Sequence, residues 1–127
     1  MTPTRSLSFV SDISRSTSGT QWVTPVYVLV RLWIRAGLEA QFEAYERKVA
    51  RVMARYGGVI ERTIRPARTT SQESGLPFEI HVLRFQSRAL YEAYRADSER
   101  AALSDERAAT IAHTEVLVGS AGPTSSP

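Results

Sequence analysis

The sequence predicts an α+β domain: one four-stranded antiparallel sheet covered by helices, in the order β-α-β-β-α-β. Three observations carry this. Residues 25–34 form a strand whose one face is Val26, Val28, Val30, Leu32 and Ile34, and whose other face is Tyr27, Leu29, Arg31 and Trp33. Both faces are mainly apolar, so both must be covered. Leu38, Phe42, Tyr45, Val49, Val52 and Tyr56 recur in alternating steps of four and three, which is one helical stripe. A second apolar run over 78–85 passes through Ser87 straight into a helical pattern.

In order, residues 1–21 are rich in Ser and Thr and lack periodicity, and are expected to be a disordered extension; 120–127 read the same way. The folded domain is then 22–119. After the first strand, Arg35-Ala36-Gly37 turns the chain into the striped helix. Its acids (Glu39, Glu43, Glu46) come early and its bases (Arg47, Lys48, Arg51, Arg55) late, as the helix dipole favours, and Gly57-Gly58 stops it. Residues 59–65 alternate imperfectly as an edge strand ended by Pro66, and 67–77 are a long hairpin loop, a lid or a mobile segment. In the third strand Phe78, Ile80, Val82 and Arg84 are expected on one face, with Glu79, His81, Leu83 and Phe85 on the other. Ser87 caps a helix carrying Leu90, Tyr91 and Tyr94, residues 97–100 interrupt it, and 104–106 open a last helical stretch with Ala108 and Ile111 inward. Residues 115–119 form the fourth strand. The order is the split-βαβ, ferredoxin-like arrangement. Its open face is expected to carry Tyr27, Leu29, Trp33, Leu83, Phe85 and Leu117, too much apolar area to leave wet, so a second copy is expected to pack sheet-to-sheet on it.

Composition narrows the classes. No cysteine is present, so disulfides and thiolate metal sites are excluded. No apolar run approaches the ~20 residues that span a bilayer, and the first 20 lack the continuous apolar block of a secretory signal, so a cytoplasmic location without membrane contact is expected. The pI is about 9.7, yet the net charge is only +3, and 15 of the 16 basic residues are arginine. The high pI reflects arginine that never titrates rather than a phosphate-binding patch, and no nucleic-acid partner is expected. RNA-recognition domains share the element order, and Val26-Tyr27-Val28 resembles their first strand motif, but the third strand lacks their Gly- and aromatic-rich pattern.

The passage from 78–85 into Gln86-Ser87-Arg88-Ala89-Leu90-Tyr91-Glu92-Ala93-Tyr94, with Leu103, Glu106-Arg107 and Thr114-Glu115-Val116-Leu117-Val118-Gly119, resembles a bacterial domain-of-unknown-function family of the dimeric α/β-barrel superfamily. That family is related to antibiotic-biosynthesis-monooxygenase-like and stress-responsive barrel proteins. The resemblance spans about 25–119. It implies a ferredoxin-like protomer whose sheet packs on a second sheet around a barrel-like interior. Its relatives include cofactor-independent monooxygenases, small-molecule isomerases and haem-degrading enzymes, so the fold does not select a reaction.

The polar groups expected on the interior face are Arg31, Glu61, Glu79, His81 and Glu115. His81 is the candidate acid or base because imidazole titrates near neutrality. Arg31 is the candidate for holding a carboxylate, enolate or phenolate. Tyr27, Trp33 and Phe85 form a candidate aromatic wall, with Glu79 and Glu115 beside the ligand. The alternative is that His81 and Arg31 pair with Glu79 or Glu115 and only stabilise a non-catalytic dimer with a filled interior. His113 is expected at the end of the last helix. Two histidines without ligand spacing give no metal motif, and neither metal nor cofactor is expected. The function expected is a homodimer that binds a small apolar or aromatic molecule in its interior, as a cofactor-independent monooxygenase or isomerase.

Overall fold

The structure, a computed structural model, describes residues 24–67 and 75–123. The expected extension over 1–21, most of the 67–77 loop and residues 124–127 lie outside the described residues.

Among the described residues, eight elements follow one another: β1 (Val26–Ile34), α1 (Glu39–Ala54), β2 (Val59–Ile64), β3 (Glu79–Phe85), α2 (Arg88–Arg95), α3 (Ser98–Ala102), α4 (Ser104–Thr110) and β4 (Ile111–Gly119). The four strands form one antiparallel sheet in the order β2-β3-β1-β4, the ferredoxin-like arrangement, with β1 at its centre. Turns are set by glycine where the backbone enters the left-handed region, at Gly37 (φ 80°) before α1 and Gly57 (φ 73°) after it. Ser87 caps α2 by accepting from the Leu90 amide at 3.1 Å. Residues 97–100 do more than interrupt the helix: Asp97 accepts from the Arg100 amide at 2.9 Å and starts α3.

The register of β3 reverses the expected faces. Val28 pairs with Leu83, Val30 with His81, and Leu32 with Glu79, and directly paired residues share a face. Glu79, His81, Leu83 and Phe85 therefore lie with the aliphatic face of β1, under the helices, and all four are buried. Ile80, Val82 and Arg84 join Tyr27, Leu29, Arg31 and Trp33 on the open face. Phe85 decides the phase. Its ring is fully buried beside Tyr91 and Tyr94, each with ring centroids 5.3 Å away, and beneath Gly58. An aromatic pocket of that size outweighs the aliphatic gain of turning Ile80 and Val82 inward.

The fourth strand begins at Ile111 rather than at 115, because Ile111 pairs with Ile34 and joins Leu32 and Phe42 in the core. His113 is consequently not at a helix end. It sits in β4 on the open face, its ring 5.0 Å from that of Trp33. The core has two apolar clusters, one around Val28, Val52, Met53, Leu83 and Phe85 and one around Leu32, Phe42 and Ile111, with Val30 packed against both. On the open face Leu117 is 58% exposed, as expected, and Ile64 adds to it at 43% exposed, whereas Leu83 and Phe85, expected there, are core. Among the described residues, no helix is long and apolar enough to cross a membrane.

Candidate functional site

Where the two clusters meet, the core turns polar. His81 and Glu79, two residues apart on β3, point to the same side, and Glu46 descends from α1 onto them. His81 Nε2 lies 2.6 Å from Glu46 Oε2 and also contacts Glu79 Oε2. The other Glu79 oxygen accepts from Arg65 Nε at 2.8 Å, and Arg65 reaches on to Glu43 at 3.4 Å. Glu79 and His81 side chains are only 2% and 9% exposed, so this is an ionic network inside the protein.

Proton placement follows from the contacts. Burial works against charge on His81, but the hydrogen bonds to Glu46 and Glu79 outweigh it and raise its pKa. Burial likewise pushes Glu79 up, yet hydrogen bonds from Glu46, His81 and Arg65 leave it below the usual carboxylate range. Glu46 is raised, first by burial and then by the neighbouring Glu79, with His81 opposing. His81 Nε2 carries one proton toward two carboxylates, and the shifts favour the imidazolium form, with Glu79 its ionised partner and Glu46 the more basic of the two acids.

Glu46 and His81 open onto a cavity of about 120 Å³ between the sheet and the helices. Its walls are otherwise mostly apolar: Val30, Leu32 and Leu83 from the sheet, Phe42, Val49 and Met53 from α1. Tyr45 and Tyr94 line it as well, their hydroxyls raised by burial against the opposing fields of Arg107 and Arg100. Glu46 also lines a shallow groove on the other side, with Glu43, Arg65 and Glu79. The carboxyl thus stands in the wall between the cavity and the groove, with His81 and Glu79 behind it.

The structure brings together some of the expected residues and separates others. His81 and Glu79 are at the cavity. Phe85 is on the same face but is core, packed between α2 and Gly58 rather than lining the cavity. Arg31, Tyr27, Trp33 and Glu115 are on the opposite face of the sheet, so they form no single site with His81. Arg31 donates to Glu115 at 3.0 Å across the β1–β4 pair, and this bond, with a weaker one from His113, holds Glu115 below its usual range. Glu61 lies 3.8 Å from Arg84 on β3. Glu46, Tyr45, Arg100 and Arg107 are the cavity residues that the sequence reading did not single out. Glu46 left a signal: it stands four residues after Phe42 and three before Val49, an acid at core phase on an apolar stripe.

Glu46, Glu79 and His81 are also the described residues whose ligand atoms converge closely enough to hold a metal ion. Two ligands about 2.05 Å from a tetrahedral ion stand about 3.3 Å apart. His81 Nε2 and Glu46 Oε2 are at 2.6 Å, so the donors are closed on a proton and would have to part to admit a metal.

No family model matches the chain, and no curated protein matches it in sequence. Its fold matches solved structures. The protein of unknown function RPA0582 from Rhodopseudomonas palustris is 14% identical over 80% of this chain and 85% of its own, with a TM-score of 0.68. SnoaB, a cofactor-independent oxygenase from Streptomyces nogalater, is 16% identical over 80% of this chain and 97% of its own, at 0.61. A DABB family protein with a ferredoxin-like fold from Mesorhizobium loti is 11% identical over 79% and 99%, at 0.58. At these identities the likeness is one of fold, and it is the fold that the strand–helix passage implies.

Proposed function

We propose that the cavity binds a small, mostly apolar or aromatic organic molecule and that Glu46, backed by His81 and Glu79, moves a proton on it. The observation that carries this is a buried acid–imidazole–acid network opening onto an apolar cavity. Burial raises the Glu46 carboxyl and makes its carboxylate a stronger base than an exposed one, able to take a proton from an acidic C–H and return it to another carbon. That is an isomerisation. With dioxygen as co-reactant and a substrate CH2, the carbanion left by loss of one proton adds dioxygen to form a peroxide; loss of the second C–H proton breaks the O–O bond, leaving a C=O in the product and releasing the other oxygen with the two protons as water. Neither course needs a cofactor, and the fold shared with a cofactor-independent oxygenase supports the second.

The test is a titration with phenols and enolisable ketones, followed at the methyl resonances of Val30, Leu32 and Leu83. Shifts at these methyls are expected. Glu46→Gln should keep binding but slow exchange of a ketone's α-proton with deuterated water by roughly 10²–10⁴-fold. Silence of the cavity methyls across the panel would end the reading.

The proposal includes a homodimer through the open face and a cytoplasmic setting. Leu117, Ile64 and Trp33 give that face apolar area, while Arg31 pairs with Glu115 and Arg84 with Glu61 within the protomer. Tyr27, Trp33, Arg31 and Glu115 are then interface residues. Sedimentation at micromolar concentration should give a dimer, and Leu117→Asp a folded monomer. A wild-type protomer that sediments alone overturns the pairing.

A further inference from the structure

The cavity has a second polar end, formed by Arg100 of α3 and Arg107 of α4. Among the described residues, neither guanidinium has a carboxylate partner, although acids stand close by in sequence. Glu106 gives both oxygens to Lys48, at 2.9 and 3.1 Å. Asp97 is taken by Tyr56 at 2.5 Å, by Arg55 at 3.1 Å and by the Arg100 amide at 2.9 Å. Arg107 instead donates to the Thr114 hydroxyl at 2.6 Å. Arg100 lies over the Tyr94 ring, 4.9 Å from its centroid, and donates to the Arg95 carbonyl at 3.2 Å. Two half-buried guanidiniums with neutral partners leave positive charge facing an apolar space.

The spacing of the two ends follows from the sheet. His81, Val30 and Val116 pair across β3, β1 and β4, and Arg107 anchors on Thr114, the same-face neighbour of Val116. The acid–imidazole end and the arginine end are therefore two strand spacings apart, about 10 Å. The cavity between them, about 120 Å³, is close to the ~150 Å³ that takes one benzene ring, and too small for fused polycycles.

We propose that the molecule this cavity takes is a small apolar monocarboxylate, one ring or a short chain, with its carboxylate on Arg100 and Arg107 and its body extending under Val30 toward Glu46 and His81. The inference rests on the ligand-cavity reading above and names its substrate class. A planar carboxylate suits paired guanidinium donors, and the apolar walls reward a single hydrophobic body.

The experiment is calorimetric titration of the full chain with phenylacetate and hexanoate against 2-phenylethanol and hexanol, which keep the bodies and remove the charge. Phenyl phosphate and inorganic phosphate are added as further probes, and the cavity methyls are read in parallel. The acids should bind at least roughly tenfold more tightly than the alcohols, and Arg100→Gln or Arg107→Gln should each weaken the acids about tenfold while leaving the alcohols within about twofold. Arg107→Lys, which keeps the charge without the fork, should fall between. If Arg107→Gln does not fold, Arg100→Gln, whose guanidinium bonds to Tyr94 and the Arg95 carbonyl and has no carboxylate partner among the described residues, carries the test. Alcohols that bind as tightly as acids at the cavity methyls overturn the carboxylate and leave the ligand cavity standing. So does acid binding indifferent to both variants, or clear preference for the phosphates. No binding by these probes while larger neutral ligands shift the methyls overturns this inference alone; no binding by anything overturns both.

Discussion

His81→Leu is expected to destabilise the protein by about 3 kcal/mol near pH 6, the low end for breaking a buried ion pair, because Arg65 continues to hold Glu79. The substitution leaves Glu46 against Glu79 with no cation between them. Glu79→Leu should cost less, although Glu79 is the more buried residue. Without it, His81 keeps Glu46 at 2.6 Å and Arg65 keeps Glu43 at 3.4 Å, so nothing is stranded. The ordering of the two losses is the informative part. A pH series sharpens it. His81 is raised on folding, so its contribution is full below its ordinary value of about 6.5 and is lost as pH rises through the higher folded value. Glu46, also raised, contributes below its ordinary value of about 4.3 and loses its contribution in the same rising direction. Glu79 is lowered, so its contribution is full above about 4.3 and fades as pH falls through the folded value. The urea midpoint of the wild type should decline above about pH 6.5, and that of His81→Leu should decline less. Parallel curves for the two proteins would remove the imidazolium from the network.

Phe85→Ala carries the largest expected loss, about 3–5 kcal/mol, since the ring is fully buried and holds α2 to the sheet through Tyr91 and Tyr94. For a domain of this size each kcal/mol lowers Tm by roughly 4–8 °C, so the variant is expected to be largely unfolded at 37 °C. Gly58 is the other half of this contact. A Cβ there meets the Met53 side chain and the Phe85 ring, with Phe85 Cζ at 2.7 Å. Gly58→Ala should cost about 1–3 kcal/mol by overpacking. In the Phe85→Ala background part of that cost should vanish, because the ring is gone and the flexible Met53 side chain, which also meets the methyl, has room to move. Additive melting shifts in the double variant would mean that Gly58 and Phe85 act independently. The contact matters for the site because it locks the phase of β3. A one-residue slip would send His81 and Glu79 to the opposite face of the sheet.

Several features could be read without coordinates. The strand of 25–34, the α1 stripe, the Gly57 stop and the Ser87 cap depend on neighbours within a few residues, and the structure has them where those patterns put them. His81 and Glu79 stood out as an alternating polar pair on an otherwise apolar strand, and they do meet. Arg31 and Trp33 stood out equally and do not join them, because β3 has apolar residues on both faces and its periodicity fits either orientation. His113 follows a helical pattern in the sequence, but the helix ends at Thr110, where pairing of Ile111 with Ile34 takes over.

The sequence by itself determined the element order, the strand at the centre and the excess of apolar surface, since each is a matter of period and composition along one chain. Only the tertiary structure decided which face of β3 turns inward, that Glu46 meets His81, and that Arg100 and Arg107 share its cavity. Those outcomes depend on contacts between separate elements, among them the packing of Phe85 against Gly58, Tyr91 and Tyr94. No local preference encodes that choice.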